Sequence, residues 1–543
     1  MANISFKVFE GSVPRMAPHL LDPSSAAEAI DCRFDHGTLQ SWREPRHVAD
    51  ILPTTKTVYR YNCCTLEFED CVDIAESTAA CGKLYVSGGA DYPRVLSFED
   101  SENPCDYVER RLGIPCIYDA PSVAPGAMNG AAAKDTEFRS YAYQYVDSFG
   151  GRGALSLPSE VTQVRDGQTV IVSGFVLPSD PSWDVQKIRV YRTVSGYQTG
   201  GEDANVLDTT WMFVGEIAAS TPALVDTQRN EDLSSALEED EVMPPPAGLR
   251  GLTYIESMNA LVGFVGNKIY FSAPNEYHNW PDYMTLDDNI MGITESNGDI
   301  YAATDGRPYV IRATGDCKTM ACRASVRLDQ ALPAVGFGNR RILATTFGAV
   351  YVTHEGLVAL QKNSAPKIIT HSLYAPDDFA KLVPQSLVLA SHDGYVFAFG
   401  GRKSFVMKLH GILNEGWKSD THSQLSDTDV TDAFVTRQGD FYLVKGNALV
   451  EWNRGLTWRP HKWTSAEIVS SPPIPLAAGL VHLAHGAEQI TVLADSKKVL
   501  DRSILKSQEF PLPRWAKGQR WQVHLEGIAT VKLVSLSSTM RAF

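Results

Sequence analysis

Between Gly248 and about Gly455 the chain repeats itself weakly, and this repeat limits what the sequence can fold into. The segment GLRGLTYIESMNALVGFVGNKIYFSAPN (248–275) reads as three strands separated by turns. The pattern returns at 291–315, 334–361, 387–411 and 431–455. Turn pairs such as Asn297-Gly298, Asp393-Gly394 and Gly446-Asn447 sit between the apolar runs, where a tight hairpin needs residues that tolerate positive φ. Starts roughly 40–55 residues apart, with three or four strands each, are the mark of propeller blades. A small sheet of this kind has two apolar faces and must stack on neighbours to cover them. Five blades are expected here, and a sixth can be completed by strands from outside the range.

The rest of the chain is also β in character, with short Val-, Ile-, Tyr- and Phe-rich runs broken by Gly, Asn and Asp. Three short helices are expected, over Ser24–Ile30 (with Ser24 as cap), Leu233–Glu239 and Asp377–Val383. The expected fold is mainly β. It has a propeller-like body of about five or six blades, a fibronectin-type-III-like β-sandwich and a C-terminal β domain. Residues 1–134 read as an N-terminal β-rich docking region that contributes to the body. Residues 135–227 read as the sandwich, with about seven short strands. On its IRVYR strand, Ile188, Val190 and Arg192 share one face and Arg189 and Tyr191 the other, as in a half-buried strand. Residues 228–247 form a linker with six carboxylates and one arginine from 229 to 241, followed by three prolines. Residues 248–455 hold the repeats and 456–543 the C-terminal domain.

Charge narrows the partners. The 49 Lys and Arg against 64 Asp and Glu leave a net charge of −15, so a basic face that grips nucleic acid is not expected. No apolar run reaches the ~20 residues needed to cross a bilayer, and MANISFKVFEGSVPR lacks the order of a signal peptide. Membrane insertion is not expected, and synthesis in a cytoplasm is. The nine cysteines are odd in number and contain no C-x-x-C. Buried free thiols in a reducing compartment are expected ahead of a metal site or a few late disulfides.

Catalytic signatures are missing. There is no G-x-S-x-G, H-E-x-x-H, P-loop or G-x-G-x-x-G after a strand, and His354-Glu355 has no second histidine to complete a zinc motif. The chain is not expected to be an enzyme, and no cofactor or metal is implied. Asp287-Asp288 are neighbours on one segment and would point to opposite faces, which argues against a shared acid–base site. Asp287, Asp288, Asp299 and Asp305 are turn candidates. The aromatic loop NEYHNWPDY, with Tyr277, Trp280 and Tyr283, reads either as a blade-connecting loop pinned by buried rings or as a platform for stacking on sugar.

Several segments, in order, resemble the tail nozzle (tail-tube-closing) family of short-tailed phages. The run FEGSVPRMAPHLLDPSSAAEAIDCRFDHGTLQSWREPRHV (9–48) resembles that family's opening. KLYVSGGADYPRVLSF (83–98) resembles a later segment, and 143–159 with 188–198 resemble its sandwich insert. The most specific likeness is LRGLTYIESMNALVGFVGNKIYFSAPNEYHNWPDYM (249–284), where Ala273 stands in place of an acidic residue and Tyr277 in place of a proline. Residues 510–540 resemble its final strands. The resemblance implies a virion tail protein that forms a homohexamer between portal-side adaptor proteins and tail fibres or spikes. Such a ring conducts double-stranded DNA without specific binding. An acidic bore would suit that task, with Asp287, Asp288, Asp299 and Asp305 as candidates to face it and Tyr277, Trp280 and Tyr283 as an inter-subunit loop. The alternative is a tail-associated receptor- or glycan-binding propeller.

Overall fold

The computed structural model describes residues 3–79, 82–98, 103–128, 136–165, 167–195, 207–233, 235–237, 242–313, 323–336, 338–412, 416–418, 421–513 and 515–539. Its backbone falls into two compact units. One holds Met1–Cys71, Asp288–Arg312 and Ala324–Phe543; the other holds Val72–Asp287 and Ala313–Arg323.

The second unit contains two four-stranded antiparallel sheets. Blade I joins Val108–Arg111, Arg94–Ser97, Lys83–Ser87 and Asp73–Glu76 in that spatial order. Blade II runs in simple succession through Arg250–Ile255, Ala260–Val265, Lys268–Phe271 and Asp282–Thr285. Inner strands are buried on both faces, as in Ala260–Val265, whereas the outer strand Asp282–Thr285 is mostly exposed. The cause is stacking: Tyr85, Val95 and Leu112 of blade I share one core with Leu252, Leu261 and Trp280 on the blade II side.

A sandwich is inserted between these two blades. One of its sheets holds Ser122–Met128, Gln168–Ser173 and Ala223–Asp226; another holds Tyr141–Val146, Lys187–Ser195 and Leu207–Ala218; Thr136–Arg139 pairs with Thr162–Arg165. The insert therefore begins at Ser122, before the boundary expected at 135. Tyr141, Tyr143, Val170, Val172, Ile188 and Val190 fill its core. Arg192 points the same way as Ile188 and Val190, and its side chain is fully buried. It pairs with Asp226 at 2.6 Å, while Arg189 on the other face pairs with Glu216 at 2.7 Å.

The first unit holds four more blades of the same design, apart from Ala313 and Arg323 at two strand ends of blade III. Blade III comprises Ile290–Ser296, Asp299–Thr304, Tyr309–Ala313 and Arg323–Arg327; blade IV comprises Ile342–Thr345, Gly348–Val352, Leu357–Gln361 and Lys367–Ile368. Blade V comprises Val388–His392, Tyr395–Phe399, Ser404–Lys408 and Ser423–Leu425. Blade VI takes Val430–Val435, Phe441–Lys445 and Ala448–Glu451 from this stretch, and its fourth strand, Arg46–Asp50, from near the N-terminus. Shared cores join III to IV, IV to V and V to VI, and blade VI packs on the hairpin Thr57–Tyr61/Cys64–Phe68. The mainly β, propeller-like body expected from the repeat is what forms.

The C-terminal segment does not stand alone, as the sequence suggested it would. Strands Asn3–Phe6, Cys32–Asp35 and Thr38–Ser41 complete a sheet with Ala478–Leu483, Gln508–Pro511 and Val531–Ser537. In the facing sheet, Ala26–Ile30 pairs with His461–Ser465 and joins this second sheet to blade V through Ile30 and Gln424. Phe6, Phe9, Trp463 and Trp521 lie in the core between the two sheets, and each such burial contributes roughly 2–3 kcal/mol. The helix expected over Ser24–Ile30 is thus a strand, because two sheet neighbours and the burial of Ala26 and Ala29 outweigh alanine's helical preference. Instead of a helix at Leu233–Glu239 there is one 3-10 turn at Asn230–Asp232, and Ala236 bridges to Met212; residues 234 and 238–241 lie outside the described residues. The third expected helix forms as Pro376–Ala380.

Candidate functional site

The aromatic loop after blade II turns mostly inward. Tyr277 is 8% exposed; its hydroxyl lies 2.8 Å from Ser77 Oγ and its ring meets Tyr85 edge-on at 5.0 Å. Trp280 is 3% exposed and donates its indole N–H to the Tyr277 carbonyl. Asn279 pins the loop by accepting the Met243 N–H at 3.1 Å. Tyr283 alone of the three is exposed; it lies against Tyr270, with Lys268 Nζ 4.6 Å from its ring centre. A three-ring sugar platform is therefore not formed, because two of its rings belong to the core between blades I and II.

The four candidate carboxylates separate in the same way. Asp299 is buried and paired with Lys362 at 3.1 Å. Asp288 accepts hydrogen bonds from the Arg307 N–H and the Tyr309 hydroxyl. Asp305 accepts from the backbone and side-chain N–H groups of Asn289. These two are the turn residues the sequence suggested. Asp287 and Asp305 are exposed.

A cavity of about 370 Å³ opens in the second unit beside the aromatic loop, a size within the range of small-ligand sites. Its wall is assembled by a turn of the sandwich, Asp147–Gly151. Asp147 Oδ1 accepts the N–H groups of Phe149 and Gly151 at 2.9 and 2.7 Å. Gly150 has φ +81°, and a Cβ on Gly151 would lie 2.8 Å from Asp147 Oδ2 and 3.1 Å from His278 Nδ1. The Gly-Gly pair is what lets this turn close over the histidine. Burial pushes the Asp147 carboxyl up, against the turn N–H groups and His278, which hold it down. Asp184 accepts from Ser148 and Gln186 and pairs with Arg110 at 3.3 Å. Lys83 Nζ sits 3.8 Å from the centre of the half-exposed Phe149 ring. Arg111 stacks on Trp183 and Tyr92 and pairs with Asp180 at 3.1 Å; burial lowers its pKa. The pocket can hold a polar ligand by hydrogen bonds and ring contact. Asp184 and Arg111 are already engaged in ion pairs, with Arg110 and Asp180.

Two histidine chains were not visible in the sequence. Ser41 Oγ lies 2.8 Å from His461 Nδ1, and His461 Nε2 lies 3.1 Å from Glu488 Oε1. The order is that of a nucleophile, base and acid, yet His461 and Glu488 are buried to 1% exposure or less and Ser41 to 4%. It serves as a polar seam between the two terminal sheets. Ser12 Oγ and the Tyr374 hydroxyl likewise flank His422 at 2.9 and 2.8 Å. Burial pushes the His422 pKa down to about 4.

The cysteines depart from the free-thiol expectation. Cys32 is a buried free thiol, and Cys63, Cys71 and Cys116 are free but not buried. Cys64 and Cys105 are disulfide-bonded. Cys81, Cys317 and Cys322 lie outside the described residues.

The class of protein defined here is a mainly β chain with propeller-like sheets and an inserted sandwich. No family model matches the chain, and no curated protein matches it. Among solved structures it is similar to BamB from Moraxella catarrhalis at 9% identity and a TM-score of 0.32, covering 81% of this chain and 95% of that one. A streptogramin B lyase matches at 9% identity and a TM-score of 0.24, over 60% of this chain and 99% of that one. PorZ of Porphyromonas gingivalis, described as a surface component of the type-IX secretion system, matches at 10% identity and 0.26, over 79% and 64%. Likenesses this slight carry no argument about what the chain does.

Proposed function

We propose that the chain is a structural subunit of the tail nozzle of a short-tailed phage, a homo-oligomeric ring through which double-stranded DNA leaves the virion. The observation that carries this reading is the sandwich inserted between blades I and II, because the sequence resemblance implies a propeller-like body with such an insert. Charge agrees with the role. A conduit must not hold the polymer it passes, and a net −15 per subunit, repeated around a ring, repels phosphate. Ring size, six by resemblance, sets the bore, and the adaptor and fibre proteins would meet the two ends. No chemistry is required of the subunit; shape, symmetry and field perform the task. Negative-stain images and mass photometry of the purified chain should show a ring with a central passage. A solitary chain at micromolar concentration, or particles whose tail axis lacks it, would sink the proposal.

A second reading, a glycan- or receptor-binding tail protein, is favoured by the pocket beside Phe149. Under it, host polysaccharide would be retained by the wild-type chain and released by Phe149→Ala.

A further inference from the structure

A concavity on this acidic chain has a cationic rim. In the first unit a cavity of about 340 Å³ is lined by Arg15, Lys381, Arg402 and Lys403, with Asp378 as the only carboxylate on its wall. Asp378 pairs with Lys381 at 2.8 Å, which leaves three cations facing the opening. Arg15 donates to the His371 carbonyl at 2.6 Å, which anchors the guanidinium and leaves other N–H groups unused. Among the described residues, neither Arg402 nor Lys403 is ion-paired. The floor is different in kind: Leu373, Leu382 and the ring of Tyr374 line it, and all three are buried.

The backbone is shaped to build this rim. Gly400 and Gly401 both take positive φ, +91° and +62°. A Cβ on Gly401 would lie 2.1 Å from the Leu382 carbonyl, and one on Gly400 2.7 Å from that of Ser386. Only glycine lets the loop pass this close, and the next two residues are Arg402 and Lys403. On the facing segment, Val383 is held at φ +62°, ψ 63°, a conformation a β-branched residue rarely takes. Strain of this kind clusters at binding and switch sites.

We infer that this cavity binds a small phosphomonoester. Two guanidinium forks and an ammonium match the three terminal oxygens of a dianionic phosphate better than a single carboxylate, and the apolar floor fits the organic body of the ligand. The inference is independent of the nozzle reading. The probes are glucose 6-phosphate, inorganic phosphate and glucose, titrated calorimetrically into the full chain. Glucose 6-phosphate should bind saturably and at least tenfold more tightly than inorganic phosphate, and glucose should not bind. Arg15→Gln/Arg402→Gln should weaken binding tenfold or more without moving the thermal transition, and Lys403→Gln should weaken it severalfold. Vesicles of phosphatidylcholine with phosphatidic acid separate the sources. Co-sedimentation reversed by glucose 6-phosphate assigns a lipid phosphomonoester, and soluble binding without co-sedimentation assigns a free one. The inference is overturned if glucose 6-phosphate does not bind, if the double variant binds it equally, or if inorganic phosphate binds as tightly. Displacement of the sugar phosphate by a 20-bp duplex would also overturn it, because the rim would then serve a polymer.

Discussion

At the residue scale the sharpest expectation concerns His422. Its ring is buried between Ser12 and Tyr374, and its pKa falls from 6.5 to about 4. Above pH 6.5 the ring is neutral in both the folded and unfolded chain, and it imposes no pH dependence. Between pH 6.5 and about 4 only the unfolded chain takes up the proton, so stability falls as pH falls, by about 3 kcal/mol in total. Urea midpoints measured across this window should drop in the wild-type chain and stay nearly level in His422→Gln. Equal slopes would show that another group carries the effect. Asp226 provides a second test. It accepts from Arg192 and from the Tyr141 hydroxyl at 2.6 and 2.8 Å, and Arg139 Nη1 lies 3.6 Å away. Asp226→Asn should cost the sandwich about 3–5 kcal/mol, because two buried guanidinium groups lose their shared counter-charge. Arg192→Met/Asp226→Leu should cost much less, and a double variant as unstable as the single one would contradict this account. Little of this was legible in the sequence. Arg192 was placed on its correct face by alternation, but burial of a charge depends on a partner 34 residues away. Ser12 and His422 are 410 residues apart and leave no local mark.

At the element scale, hydrophobic alternation and turn residues were enough to read blades II to VI, because each is built largely from consecutive hairpins, whereas blade I fell in the region read as a docking segment. The rings of Tyr277 and Trp280 show the limit. A ring in a polar loop looks the same in sequence whether it faces solvent or pins the loop to a core, and only the stack of blades I and II decides. Strands contributed from a distance were harder still. Ala26–Ile30 carries the composition of a helix, yet its neighbours His461–Ser465 and Ser423–Leu425 make it a strand. Arg46–Asp50 completes blade VI from the other end of the chain, with Ala49 opposite Leu449 and His47 opposite Val450. Without it, the edge Ala448–Glu451 is bare and open to pairing with other chains. Val48 packs on the core shared by blade VI and the hairpin. Val48→Asp should therefore lower stability by about 1–3 kcal/mol and raise thioflavin-detected aggregation near the melting transition. Unchanged aggregation would mean that the strand does not guard that edge.

At the scale of the whole molecule, the conduit reading makes a claim about charge that can be tested without seeing the ring. If exposed carboxylates line the passage, reversing one should convert a repulsive wall into a sticky one. Asp287 is the suitable position, since it is exposed, whereas Asp299 is buried and Asp288 only partly exposed. One substitution, Asp287→Lys, repeated around the assembly would place several cations at one height of the bore. The wild-type assembly should leave a linear duplex unshifted in a gel at 50 mM salt. The variant should retard it, and the shift should vanish by 200 mM, because counterion release at 6–10 phosphate contacts weakens binding roughly a thousandfold or more across that range. Retardation must also depend on a free DNA end if the duplex threads the passage, so a covalently closed circle of the same length should run unshifted. Binding of circle and linear duplex alike would place residue 287 on an outer surface, and a variant that still ignores DNA would remove this carboxylate from the wall.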